Sequence, residues 1–347
     1  MNLNRYDRQE RVKVIGKAGQ QKLNSATVLI AGVGALGSYT ASQLLRAGVK
    51  QLILIDPDVV STTNLQRQAL FTEQDVADGT FKVDAAKAHL LAIDHTAKIN
   101  VYPEPLNESH LTDLTFDLVL DCLDNFRTRD LINKVALKHG FDYIFASCAG
   151  TFGSVMPVSP TEHACLNCLY PNLEDLKQTD CDLIGVNTAL VPLVSGLQVS
   201  LALHYLVDKA SVNFAQLTTI DNWQLSFQNF KINKDPACPV CSKRDWDLPK
   251  MESTEQVTVL CGTQTYSVQM SRSPKLAQLN QWLTDQAIPY RQFKSFSTFI
   301  WAGYSVSLFK TGKCLLYGIP TLKEATATYQ KLKQAFQPVI TEEATSL

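Results

Sequence analysis

The sequence predicts an α/β protein in which a doubly wound, mostly parallel sheet with added antiparallel strands is followed by a small C-terminal α+β domain. Three observations carry this reading. Thr27 to Asp56 reads as strand, glycine turn, helix and strand; apolar runs and helical patterns alternate onward to Ala146; and after Gly150 the chain turns to β-rich pieces, interrupted by a charged stretch from Asp245 to Glu255. That stretch, with Pro249 in its middle, divides the chain into residues 1–248 and 249–347. The 347-residue length suits two domains, and the second part has a size that folds independently.

Taken in order, Thr27-Val-Leu-Ile-Ala31 is a short apolar run, Gly32-Val-Gly34-Ala-Leu-Gly37 a glycine turn, and the pattern through Ala47 helical. Gln51-Leu-Ile-Leu-Ile-Asp56 is a second buried strand, and its closing acid falls about 20 residues past the turn, the spacing of a Rossmann-like nucleotide fingerprint. Glycines at 32, 34 and 37 let the backbone approach a phosphate, the following helix N-terminus offers N–H donors to the anion, and Asp56 accepts from ribose hydroxyls. The competing reading is a tight turn with Asp56 capping a loop. Nucleotide binding by itself leaves a dehydrogenase and an ATP enzyme equally open.

Further strands are expected at Ile99–Tyr102, Phe116–Asp121 and Tyr143–Ala146, between helices near Lys82–Leu91 and Asn125–Lys138. Beyond Gly150, Gly153–Pro157, Leu217–Ile220 and Trp223–Lys231 extend the same sheet as mixed strands. The most apolar stretch, Ile184 to Val207, carries Asn187, Thr188, Pro192, Gln198, Ser200 and His204, so a buried helix is expected there and not a membrane span. Leu190, Val194, Leu197, Leu201 and Tyr205 recur at helical spacing as its core stripe. In the C-terminal part, Gln256–Met270 reads as two short strands around Gly262, Lys275–Asp285 as a helix, Phe293–Tyr317 as several strands and Leu322–Phe336 as a closing helix.

Composition excludes whole classes of partner. With 32 basic against 33 acidic residues, no field of one sign draws the chain onto nucleic acid or an anionic membrane. MNLNRYDRQERVKVIG lacks the apolar core of a secretory signal, which places the expected site of action in the cytoplasm.

Nine cysteines without secretory context make disulfides a poor reading. Cys165-Leu-Asn-Cys168 and Cys238-Pro-Val-Cys241 are two Cys-x-x-Cys knuckles, each beside turn residues, and together supply four thiolates for a structural zinc ion. The stretch between them is too long for a self-contained zinc ribbon, so the metal joins segments that a larger fold has already brought close. Four thiolates leave no open position for chemistry.

Three polar clusters follow the glycine turn: Asn64-Leu-Gln-Arg67-Gln68, Lys82 at the start of a helix, and Asp121-Cys-Leu-Asp124-Asn125 at the end of a strand. An adenylating enzyme joins a carboxylate to the α-phosphate of ATP and expels pyrophosphate. It therefore needs cations for phosphate charge and a carboxylate for magnesium. Arg67, Lys82 and Asp124 supply those groups. A substrate carboxylate is already nucleophilic at neutral pH, so positioning and electrostatics suffice. Each residue also has a plain alternative: a surface arginine, a first-turn lysine, and an N-cap formed by Asp124 and Asn125.

With these motifs in order, the chain resembles the ThiF/MoeB adenylyltransferases, relatives of ubiquitin-activating enzymes that charge small sulfur-carrier proteins. The likeness runs over roughly residues 4 to 245 and includes Arg5-Tyr-Asp-Arg8-Gln9, Gly16, Gly19-Gln-Gln-Lys-Leu23, the glycine turn, Asp56, the Asn64 and Asp121 segments, Lys82-Val83 and both cysteine pairs. The resemblance implies that Asp56 holds the ATP ribose, that Asn64, Arg67 and Lys82 contact phosphates, and that Asp124 handles magnesium. It implies that Arg8 reaches into a partner subunit's site, hence a homodimer. The implied substrate is the Gly-Gly carboxylate of a β-grasp carrier, MoaD-like or ThiS-like, used in molybdopterin or thiamine synthesis, with a cysteine desulfurase as a further partner. Cys181, in Thr179-Asp-Cys-Asp-Leu-Ile-Gly-Val186, matches a cysteine that some members use for a covalent link to the carrier, although Asp180 and Asp182 disfavour its thiolate. The chain departs from the family where Gln198 is followed by Val199, Leu201 and His204. Its C-terminal part is not a rhodanese domain, since neither Cys261 nor Cys314 sits in an anion-cradling loop. Two rivals stay open: a relative that adenylates a peptide or other small substrate, and a Rossmann NAD-dependent oxidoreductase.

Overall fold

The computed structural model describes residues 5–177, 184–248, 255–260 and 264–341. Its elements are, in order, α1 (Asp7–Glu10), α2 (Gly16–Ser25), β1 (Thr27–Ala31), α3 (Ala35–Ala47), β2 (Gln51–Ile55), α4 (Glu73–Asp78), α5 (Lys82–Ile93), β3 (Lys98–Tyr102), α6 (Glu108–Thr112), β4 (Leu118–Asp121) and α7 (Phe126–His139). There follow β5 (Tyr143–Ala149), β6 (Phe152–Val158), α8 (Leu166–Leu169), α9 (Leu173–Leu176), α10 (Leu190–Asp208), β7 (Gln216–Asp221) and β8 (Ser226–Lys231). The C-terminal part holds β9 (Thr258–Leu260), β10 (Thr265–Gln269), α11 (Leu276–Asp285), β11 (Tyr290–Gln292), β12 (Phe296–Trp301), β13 (Tyr304–Phe309), β14 (Lys313–Tyr317) and α12 (Leu322–Thr341).

The first sheet has the order β3-β2-β1-β4-β5-β6-β7-β8. β3, β2, β1, β4 and β5 run parallel and β6, β7 and β8 continue antiparallel, as the sequence predicts. Strand order reverses between β1 and β4, which makes the crevice beyond their carboxyl ends the place where such sheets hold ligands. Alternate strand residues bury on opposite faces. Leu29, Ile53, Val119 and Phe145 pack with Leu131, Ile132, Val135 and Ala136 of α7 in one core. Val28, Ile30, Leu52 and Leu54 are buried on the other side of the same strands. Gly48 and Gly140, both in the left-handed region, end α3 and α7.

The helix expected in the most apolar stretch is α10, and it packs on α3, β5 and β6. By length and composition it is also apolar enough to cross a membrane. Its expected core stripe needs correction. Leu190 and Val194 are buried, but Leu197, Leu201 and Tyr205 are only half-buried, while Val191, Ser195, Gln198, Val199 and Ala202 complete the buried stripe. The helix is apolar nearly all round, so polar residues are drawn inward by hydrogen bonds that apolar spacing does not register. Ser195 Oγ donates to the Leu36 carbonyl at 3.1 Å.

Contacts group Met1–Glu73 with Phe81–Pro249, and Gln74–Thr80 with Lys250–Leu347. In the second unit an antiparallel sheet of order β11-β12-β13-β14-β10-β9 has one face buried against helices. Phe299, Val306, Leu308, Cys314, Leu316, Tyr266 and Val268 pack there with Leu279 and Leu283 of α11 and Tyr329, Leu332 and Phe336 of α12. Gly262 and Cys261 lie outside the described residues.

Candidate functional site

β1, β2 and β4 end side by side, and their carboxyl ends carry the polar groups that the sequence singles out. The turn after β1 is built for close approach. Gly32 has φ +86°, and a Cβ there would lie 2.9 Å from the Cys122 carbonyl; at Gly37 a Cβ would fall 2.0 Å from the Gly32 carbonyl. Neither position admits a side chain, so α3 starts hard against the turn and its first N–H groups face the crevice. Asp56 follows β2 and is buried. Its Oδ2 accepts from the Val33 N–H at 2.8 Å and its Oδ1 from the Asp58 N–H at 2.9 Å, so the acid braces the glycine turn with lone pairs left for a ligand hydroxyl.

Lys82, the first residue of α5, aims into the same corner. Its Nζ lies 3.0 Å from Asp58 Oδ2 and 3.9 Å from Asp56 Oδ1. Burial pushes the Asp56 carboxyl up to about 6 while Lys82 pulls it back. For Lys82, burial by itself favours the neutral amine, but Asp56, Asp58 and Asp124 outweigh it and hold the ammonium well above its usual range. Asn64 Oδ1 accepts from the Ser61 N–H at 3.0 Å in a capping box, so this part of its amide shapes the loop. Arg67 is half-buried, with Nη1 donating to the Thr63 carbonyl at 2.8 Å. Gln68 is buried, its Nε2 would sit 3.6 Å from a Cβ on Gly34, and its Oε1 has no partner among the described residues. An orphaned buried acceptor beside a glycine turn fits a bound group that carries donors.

At the end of β4, Asn125 caps α7 by accepting from the Thr128 N–H at 2.9 Å, which is the plain role, and it leaves Asp124 exposed at the crevice. The turn is held from below by Arg129. Its guanidinium lies 3.4 Å from the buried Asp121 carboxylate, donates to the Leu123 carbonyl and, at 2.9 Å, to the Ala146 carbonyl, and is flanked by the rings of Phe126 and Phe145. Gln198 of α10 ties the same turn to the glycine helix: Nε2 donates to the Asp121 and Ile144 carbonyls, and Oε1 accepts from Thr40 and Cys122. Asp58, Arg129 and Gln198 are thus site-building residues that the sequence reading did not single out. Asp58 carried one signal, a second acid just past β2 in Asp56-Pro57-Asp58. The departure after Gln198 leaves its own contacts intact.

The four predicted cysteines do come together. Cys165 and Cys168 at α8 meet Cys238 and Cys241, with all four sulfurs within 4.8 Å of one another. Sγ separations of 3.9, 3.7 and 3.5 Å match the roughly 3.8 Å edge of a tetrahedron with bonds of about 2.3 Å. The Asp235 N–H donates to Cys168 Sγ at 3.4 Å. Hydrogen bonds from Cys165 and this N–H pull the Cys168 thiol down to about 5, and the same contact with Cys168, added to burial, pushes Cys165 well up. Four sulfurs so close cannot all ionise without a cation among them, so the donor set fits a tetrahedral metal ion.

Arg8 lies exposed on α1. Cys181, with Asp180 and Asp182, lies outside the described residues.

A glycine turn, a bracing acid, a buried lysine and an exposed acid at the switch point of a parallel sheet define a nucleotide-binding α/β protein. The ThiF family model matches residues 6–240, and the chain belongs to that family. It is 30% identical over 333 residues to the sulfur carrier protein ThiS adenylyltransferase of Bacillus subtilis, covering 94% of this chain and 98% of that one. The Escherichia coli protein of the same description is 32% identical over 69% of this chain and 96% of its own length. The crystal structure of E. coli MccB with ATP shares the fold, with a TM-score of 0.59 over 69% of this chain and 75% of that one at 22% identity. Family membership sets the oxidoreductase reading aside.

Proposed function

We propose that the protein is an ATP-dependent adenylyltransferase that activates the C-terminal Gly-Gly carboxylate of a small β-grasp sulfur-carrier protein. The observation that carries this reading is the meeting of Lys82 with Asp56 and Asp58, under the pull of Asp124, behind one glycine turn in a chain of the ThiF family. Asp56 takes the ribose hydroxyls, while Lys82, Arg67, Asn64 and the first N–H groups of α3 take phosphate oxygens. One carboxylate oxygen of the carrier attacks the α-phosphorus, the bond to the bridging oxygen breaks, and pyrophosphate leaves as the acyl-adenylate forms. Lys82 and Arg67 stabilise the charge that moves onto pyrophosphate, and no general base is required. Asp124 would hold magnesium, which supplies further charge neutralisation on the phosphates. Cys165, Cys168, Cys238 and Cys241 would hold zinc as a structural ion.

The carrier's body has a fitting surface at the same edge. The register of β6 and β7 sets Phe152 opposite Asp221, and the Asn222 N–H donates to the Thr151 carbonyl at 3.0 Å, so the β7–β8 turn lies beside the carboxyl end of β5. Phe152, Trp223 and Leu225 are all more than half exposed there. An apolar patch of this kind marks a protein-docking surface. Two relatives named for ThiS favour a ThiS-like over a MoaD-like carrier.

We assign catalysis to residues 1–248 and treat 249–347 as an accessory domain. Arg8 serves the site of a second subunit in a cytoplasmic homodimer, and a cysteine desulfurase would supply sulfur to the adenylated carrier. Cys181 carries no step in this scheme. ATP–pyrophosphate exchange tests the reading. Exchange is expected with an intact ThiS-like carrier and to vanish when its last glycine is removed. Exchange indifferent to that glycine would instead indicate a peptide or small-molecule substrate.

A further inference from the structure

We propose that the C-terminal unit positions the nucleotide site, by holding the Gln74–Thr80 excursion that lies in the chain between Arg67 and Lys82. The inference rests on the reading of Arg67 and Lys82 as phosphate ligands.

Gln74–Thr80 belongs to the C-terminal unit, whereas Glu73 before it and Phe81 after it belong to the N-terminal unit. Both flanks are fixed. Leu70 and Phe71 are buried on one side; on the other, Phe81 is fully buried, bridges to Val59, and delivers the Lys82 N–H to the Asp58 carbonyl at 2.8 Å. Between these flanks the excursion is gripped by residues some 200 positions later in the chain, an approximate separation of the kind that local sequence patterns do not report.

The grip has two parts. Lys294 donates twice to Asp78, from its N–H to the carbonyl at 2.9 Å and from Nζ to Oδ2 at 2.6 Å, while Gln74 Nε2 donates to Oδ1 at 2.8 Å. The second part is aromatic. Phe293 stacks on Phe296 with centroids 4.4 Å apart, Phe296 stacks on Phe309 at 4.7 Å, and the Arg291 guanidinium lies 4.6 Å from the centre of the Phe293 ring. Gly79 lies directly on this stack. A Cβ at Gly79 would fall 2.7 Å from both Phe293 Cβ and Phe296 Cε1, and its φ of +60° already disfavours a side chain.

Only Thr80 and Phe81 separate Gly79 from Lys82. A residue spans about 3.5 Å at most, so a displacement of Gly79 has only the Thr80 and Phe81 links in which to dissipate before it reaches the lysine. The excursion is the rest of α4 followed by Gly79 and Thr80, and within it only Gln74 and Ala77 are exposed. Held on the stack, it delivers Lys82 to the crevice already ordered, and ATP binding then costs less conformational entropy. The C-terminal unit, for which the family model offers no role because it stops at residue 240, thereby sets the affinity for ATP.

The test is calorimetric titration of ATP into the full-length protein at 20 °C, with the thermal midpoint measured alongside. Gly79→Val is expected to weaken ATP about tenfold, within the usual range for coupled sites, and the charge reversal Lys294→Glu about threefold, just below it. Lys294→Arg and the swapped pair Asp78→Lys with Lys294→Glu are expected to bind near the parental strength. A role in stability alone would lower the midpoint and leave ATP affinity unmoved. Lys294 is 66% exposed, so its variants fold even if Gly79→Val does not. Parental affinity in a folded Lys294→Glu, with Lys82→Ala strongly weakened, would overturn the proposal alone. Parental affinity in Lys82→Ala would overturn the phosphate reading and the proposal with it.

Discussion

The N-terminus and the middle of α7 hold polar clusters made from the same residue types and put to opposite uses. At its N-terminus Asp124 stands exposed beside a crevice in which Lys82 and Asp58 form a pair open to a ligand. Farther along, Asp130 is fully buried and accepts from Lys134 at 2.9 Å and Lys177 at 2.7 Å. Lys134 also donates to the Asp247 carbonyl, and Trp246, which it approaches, donates to the Val240 carbonyl within the second cysteine knuckle. Asn133, on the same face, accepts from the Leu166 N–H and donates to Asn167 in the first. In one cluster both lysines meet the Oδ2 of a buried acid, and the other is left open. An acid with its charges matched inside the fold contributes to stability, whereas an acid facing solvent beside a buried cation remains available for chemistry.

Stripping the four-cysteine site should separate the two clusters most sharply. Cys238→Ser is expected to lower the thermal midpoint by about 10 °C or more, since structural zinc contributes several kcal/mol and about 1 kcal/mol moves a domain of this size by 2–4 °C. ATP affinity at 20 °C should change by less than about threefold in the protein that stays folded, because the crevice does not use those sulfurs. Asp130→Ala comes next. It leaves two lysines without their buried acceptor, and a loss of about 3–5 kcal/mol in denaturant unfolding is expected, again with ATP affinity preserved. Ordinary stability in this variant would show the buried cluster to be ornamental.

The open crevice should respond to pH through Asp56. Asp56, with its carboxyl pushed up to about 6, accepts ribose hydroxyls only when ionised. ATP affinity is therefore expected to hold above pH 6 and to fall as pH drops through that value. In Asp56→Asn the profile should flatten at a weaker affinity. A profile that weakens on the alkaline side instead would contradict the role given to this acid.

Much of this was legible in the sequence, for identifiable reasons. The glycine turn and Asp56 are local consequences of a βαβ unit, and Cys165-x-x-Cys168 with Cys238-x-x-Cys241 announces itself by spacing. What escaped is long-range. Gln198 bridges β4, β5 and α3, a role that no periodicity encodes in a helix apolar on nearly every side. For the same reason Leu197 and Leu201 were expected in a stripe that Ser195 and Gln198 occupy. Arg129 sits between two rings that meet it only in the folded state, and the attachment of Gly79 to Phe293 joins segments with no common motif.

The most direct measurement is carrier-dependent ATP–pyrophosphate exchange by Asp124→Ala, read beside its thermal midpoint. Removing one group that acts on developing phosphate charge typically costs about 10²–10³ in rate, and an exposed side chain contributes about 0.5 kcal/mol or less to stability. The expected result is exchange reduced to that extent at an unchanged midpoint. Exchange at the parental rate would contradict the assignment of the open end of α7 to chemistry.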